Sequence, residues 1–289
     1  MANPPPDLVD LGRRLLEHGP VKTLSSAGRR IRVLFNGAYV ADSTDALFVW
    51  EHPYYPFYYL PASSFAPGTL VRRRPPSSPA APPYSTADLR VGGRATDRVL
   101  VFSDEFGAAG EADGARQLAG RVRVEFGAAD GWFEEDTQIY VHPRDPFRRV
   151  DVLASARPLA VRVAGRLVVP PTTAAHHLYE TGLPCRYYVP PTAVDRAVLR
   201  NSATTTACPY KGVANYYHVE VEGGGEGEEG EEKEQAKATK TFQDLVWYYK
   251  TPTLESAPIA GHLCFYHERE GVEIILDGKV LPKPKTPWS

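Results

Sequence analysis

The sequence predicts a mainly β protein built as two tandem antiparallel β-domains behind one short helix. Three observations point to this fold. The chain carries 27 prolines and 16 tyrosines but few long helical runs, a composition that favours strands and loops. Its apolar residues alternate with period two around tight turns. Several of these patterns occur twice in the same order.

The first element is the exception to the β pattern. Residues 7–18, DLVDLGRRLLEH, place Leu8, Leu11, Leu15 and Leu16 on one helical stripe, and Gly19-Pro20 stops it. Residues 31–41, IRVLFNGAYVA, then read as a hairpin. Ile31, Val33 and Phe35 alternate, Asn36-Gly37 suits a type I′ turn, and Tyr39 and Ala41 return. Residues 159–169, LAVRVAGRLVV, repeat the design, with Ala164-Gly165 as the turn and Leu167 and Val169 returning.

The correspondence continues. Glu51 followed by YYLP (58–61) is matched by Glu180 followed by YYVP (187–190). LAGRVRVEF (118–126) is matched by IAGHLCFYH (259–267). The chain therefore reads as an internal duplication with a seam in HPRDPFRRVDV (142–152). Residues 1–28 hold the helix and a linker, 29–147 the first domain and 148–289 the second. The first domain carries a proline-rich stretch at 72–85, which cannot enter a sheet interior. The second carries an acidic, glycine-rich run at 222–240 that repels itself and reads as a disordered loop between two strands.

Composition excludes some function classes. A formal net charge of −2 leaves no whole-chain basic footprint for nucleic acid or an anionic membrane. No apolar run reaches bilayer-spanning length. The start, MANPPPDLVD, lacks a signal-peptide pattern. Cys185, Cys208 and Cys264 are odd in number and widely spaced. That fits a reducing compartment better than a disulfide framework, and a cytoplasmic location is the expectation.

The stretch TTTACPYKGVANYY (204–217) has no counterpart in the first domain. Together with RVLFNGAYVADS, the two Glu…YY-x-P segments, DLVWYYKTP and IAGHLCFYH, it resembles domain-of-unknown-function family 427, DUF427. The second domain matches over nearly its full length. The first matches at its hairpin, at YYLP and at LAGRVRVEFGAADGWFEED (118–136), and is a degenerate copy. The resemblance implies a compact antiparallel domain similar to β-tent folds and no established activity. The family also carries the label nucleotidyltransferase-like. This chain shows no glycine-rich phosphate loop and no paired aspartates on a strand to hold Mg²⁺.

Candidate chemistry gathers in the second domain. Cys208 is a candidate nucleophile if Lys211, three residues on, stabilises its thiolate. A buried, inert thiol, with Lys211 paired to a carboxylate at the surface, explains the same residues. Glu180, Tyr187, Tyr188, Thr206, Tyr210, Tyr216, Tyr217, Trp247, Tyr249 and His262 are the candidate ligand-binding set, with Tyr248 alongside. In a strand, each YY pair sends one ring to each face. An inward set converging on Lys211 and Glu180 makes an aromatic pocket for a small polar or planar ligand. Rings that merely fill a β-core are the alternative. The recurrence of Glu180 as Glu51 also fits a structural role. β-tent relatives hold zinc between Cys-x-x-Cys knuckles. This chain has none, so neither metal nor cofactor is expected. The sequence leaves open whether the protein is an enzyme or a non-catalytic interaction module.

Overall fold

The computed structural model describes residues 7–73, 82–104, 112–222 and 239–285. It divides into two units, Met1–Asp145 and Pro146–Ser289.

The single α-helix among the described residues, α1 (Leu8–His18), starts where Asp7 accepts hydrogen bonds from the amides of Val9 and Asp10 at 2.8 and 2.9 Å. These satisfy two of the donors that every helix start leaves free. Gly19, at φ 72°, ends it. All four stripe leucines are buried.

The first unit then forms β1 (Lys22–Ser25), β2 (Ile31–Phe35), β3 (Ala38–Ser43), β4 (Leu47–Trp50), β5 (Phe57–Pro61) and β6 (Leu70–Arg72). β7 (Tyr84–Val91), β8 (Arg94–Phe102), β9 (Arg121–Val124), β10 (Gly131–Glu134) and β11 (Thr137–Ile139) complete it. The larger sheet has the order β1-β4-β5-β9-β8-β7-β6, and the smaller β11-β10-β2-β3.

The second unit forms β12 (Val150–Ser155), β13 (Leu159–Val163), β14 (Arg166–Thr172), β15 (Ala175–Glu180), β16 (Arg186–Val189) and β17 (Leu199–Cys208). It continues with β18 (Gly212–Glu222), β19 (Thr239–Tyr249), β20 (Leu263–Phe265), β21 (Val272–Leu276) and β22 (Lys279–Val280). Its sheets run β12-β15-β16-β20-β19-β18-β17 and β14-β13-β21-β22. The large sheets match strand for strand, so the duplication is a duplication of topology. Every strand pair within the sheets is antiparallel.

In each unit a hydrophobic core fills the space between the two sheets, with Ile31, Val33 and Trp132 in the first and Val161, Val246 and Ile274 in the second. The predicted hairpins form, and their turns use φ > 0 at Asn36-Gly37 and Ala164-Gly165. Tyr39 and Leu167 correct the expectation that they return inward: they are 46% and 43% exposed. The register slips at Val33/Leu34 and again at Val161/Arg162. Each slip leaves one extra residue, Val40 or Val168, which is fully buried instead.

The acidic run 222–240 is shorter than expected at both ends, because Glu222 closes β18 and Thr239 opens β19. Residues 223–238 lie outside the described residues. So do 74–81 of the proline-rich stretch, whose flanks Leu70–Arg72 and Tyr84–Val91 are strands. β6 is an edge strand, where a following proline run removes no ladder bond.

Two buried histidines give the second unit a pH dependence. His177 and His267 are 3% and 6% exposed, and Nε2 of each is buried with no hydrogen-bond partner among the described residues. Burial, the larger cause, and neighbouring Arg157 or Lys283 hold both below the ordinary 6.5. The unfolded chain then takes up protons first. Stability is full above pH 6.5 and falls as pH drops through the lowered folded values. Denaturant midpoints measured from about pH 8 to about pH 5 should fall across the acid half, and less steeply in His177→Leu and His267→Leu.

Candidate functional site

The turn joining β17 to β18 is Pro209-Tyr210-Lys211, and it is held from below. Thr253 and Ser256 donate side-chain hydrogen bonds to the Tyr210 carbonyl at 2.5 and 3.4 Å. The Thr253 amide donates to the Lys211 carbonyl at 3.2 Å. Gly212 sits at φ +95°, and a Cβ there would stand 3.3 Å from the Thr251 carbonyl oxygen. Glycine is therefore required on both conformational and steric grounds. Tyr210 is 4% exposed, and its main chain anchors the turn.

So placed, Lys211 reaches across to β15. Its Nζ donates to Glu180 Oε2 at 2.5 Å, with the two side chains 11% and 9% exposed. The partner of Lys211 is thus a carboxylate, Glu180.

Alternation sorts the remaining candidates by face. Leu178, Tyr188, Ala214, Tyr216, Trp247, Tyr249 and Cys264 form one cluster on the side of the large sheet away from the small one, and Cys208 packs against it. Glu180, two residues beyond Leu178 on β15, shares that side. Thr206 joins through a 2.7 Å hydrogen bond with the Tyr216 hydroxyl. Trp247 Nε1 donates to the Tyr188 hydroxyl at 3.0 Å. Burial raises the Tyr188, Tyr249 and Cys264 pKa values, and Cys208 and Glu180 add to the effect on Tyr249. Cys208 and Lys211 therefore stand on the same side of the sheet.

Tyr187 and Tyr217 do not join them. Both pack on the opposite face, into the core between the sheets. Tyr217 stacks on Tyr248 with centroids 4.9 Å apart, and the Tyr187 hydroxyl is pushed up to about 12 by burial. His262 contacts His176 with ring centroids 5.0 Å apart. His176 lies four residues before Glu180, about 13 Å along the strand, so His262 sits away from Lys211. His218 Nδ1 accepts from the Asp244 amide at 3.0 Å, where Ser202 and Thr204 also bind the Asp244 carboxylate. That network lies at the register slips of β17–β18 and β18–β19, and it engages His218 away from Cys208.

Sequence reasoning missed the Thr253/Ser256 support, and it left Cys264 inside the site segment without a role. A signal for Cys264 existed: the repeat aligns it with Arg123. Among the described residues, no group of three or more His, Cys, Asp or Glu side chains is placed to hold a metal ion. No helix among them is long and apolar enough to cross a membrane.

A family model described as a domain of unknown function, DUF427, matches residues 23–132 and again 151–278. The chain belongs to the DUF427 family. No curated protein matches it in sequence.

The two DUF427 copies place the same carboxylate against different cations. Tyr59 pairs with Arg123 in register, as Tyr188 pairs with Cys264. Leu100 pairs with Arg123, as Trp247 pairs with Cys264. Arg123 thus fills the position of Cys264, and its Nε donates to Glu51 Oε1 at 2.8 Å. These side chains are 1% and 4% exposed, and the Tyr59 hydroxyl also donates to Glu51 at 3.0 Å. In the second DUF427 copy the cation comes from the turn after β17, and the small Cys264 occupies the strand position.

Proposed function

We propose that the second DUF427 copy binds a small polar or planar molecule on the sheet face between Cys208, Lys211 and Tyr249. The observation that carries this reading is a difference between the copies at matched positions. Trp247, Tyr249 and Tyr216 bring an indole N–H and two hydroxyls to that face, where the first copy has Leu100, Phe102 and Thr86. The Trp247 indole and the Tyr216 hydroxyl are hydrogen-bonded within that face, to Tyr188 and Thr206, which holds the aromatic wall in place. A polar ligand on an aromatic wall, oriented by one ion pair, fits that lining.

The ion pair offers charge for orientation, and Glu180 engages the lysine that would activate Cys208. Binding is therefore favoured over nucleophilic catalysis. Lys211, Glu180, Thr206, Tyr216, Tyr249 and Cys208 are the proposed contacts, Tyr188 and Trp247 the supporting wall, and Tyr210 an anchor.

A thermal-shift screen of small polar metabolites tests the reading. At least one compound should raise the unfolding midpoint of the second copy, and Tyr249→Phe or Thr206→Val should lower its affinity about tenfold, ~1.4 kcal/mol. A screen without hits, or hits indifferent to both substitutions, contradicts the proposal.

A further inference from the structure

The face of the first copy that corresponds to the candidate site is already occupied. Leu8, Leu11, Leu15 and Leu16 of α1 share a buried cluster with Tyr59, Tyr84, Leu100 and Phe102. Three of these four sheet residues stand where the second copy has Tyr188, Trp247 and Tyr249, and Tyr84 stands where it has Ala214. The second copy's described residues contain no counterpart of α1.

Two further details fit the helix to this surface. Gly12 lies against the Tyr84 ring so closely that a Cβ would stand 2.5 Å from the ring. The charged side of the helix faces away, where Arg13 pairs with Asp10 and Glu17 at 2.6 and 2.8 Å. An 11-residue helix is too short to hold itself together in water, so its order comes from the docking.

We infer that the first copy is a helix-binding module, with α1 as its resident ligand docked in cis. The surface takes an amphipathic helix with leucines at four stripe positions and glycine at the crossing point. Leu100 and Phe102 present an apolar face where the second copy has the Trp247 indole and the Tyr249 hydroxyl. Glu51 and Arg123 neutralise each other there. This inference does not depend on what the second copy binds.

The test uses the full chain with Leu11→Asp and Leu15→Asp, which releases the helix, and a fluorescent synthetic peptide spanning residues 7–19. The expected result is saturable binding of one peptide per variant chain. Wild-type protein should bind at least about tenfold more weakly, because its own helix holds the groove at millimolar effective concentration. A peptide carrying the same two substitutions should not bind.

Hydrogen exchange on the wild-type protein supplies the second measurement. The α1 amides should exchange at least about tenfold faster than those of β8, by an opening that leaves the sheet folded. Absence of peptide binding overturns the inference, as does equal binding to the wild type. Loss of sheet protection in the variant, or α1 exchange only with the whole copy, overturns it too, because α1 is then part of the core.

Discussion

Arg123→Met destabilises the first copy by about 3–5 kcal/mol, because it leaves the Glu51 carboxylate buried without its cation. The guanidinium is 1% exposed, and two of its nitrogens bind Glu51, at 2.8 and 3.3 Å. A loss of that size is a large share of the 5–15 kcal/mol that holds a typical domain together. Adding Glu51→Gln to Arg123→Met should recover most of the loss, since it removes the stranded charge. Hydrogen exchange at β5 and β9 reads the effect. Equal destabilisation by the single and double variants would mean that shape, and not charge, sets the cost.

Lys211→Met should destabilise the second copy by about 2–4 kcal/mol for the same reason. The effect is smaller because this pair keeps 11% and 9% of its side-chain surface. Glu180→Gln in the same chain should again restore stability, measured as the denaturant midpoint of the second copy. Lys211→Ala alone cannot separate binding from folding, because it disturbs both. The double variant Glu180→Gln, Lys211→Met keeps the fold and removes the charges, so its ligand affinity reports the site.

Much of this architecture was legible because it rests on local chemistry. The leucine stripe of α1, the turn residues Asn36-Gly37 and Ala164-Gly165, and the repeated Glu…YY-x-P segments each specify structure within a few residues. The division of the YY pairs between faces followed from strand alternation. The bulges at Val40 and Val168 were not legible, because an extra residue between strands changes the inward set without changing composition.

Tyr188, Tyr216, Trp247 and Tyr249 share one face of the large sheet, on the side where Lys211 meets Glu180. The partnership of Lys211 with Glu180, 31 residues away, depended on how β15 and the turn after β17 meet in space. Tyr187 and Tyr217 pack on the opposite face, and His262 lies against His176. The leucine stripe marks α1 as a docking helix, but nothing in the helix names the sheet that it covers.

Crystals of the full chain soaked with a mixture of small polar metabolites test the proposed site most directly. The account predicts new electron density within hydrogen-bonding reach of Lys211 Nζ and beside the Cys208 sulfur, on the face shared with Tyr249. Well-diffracting soaked crystals with no added density beside Lys211 and Cys208 would contradict it.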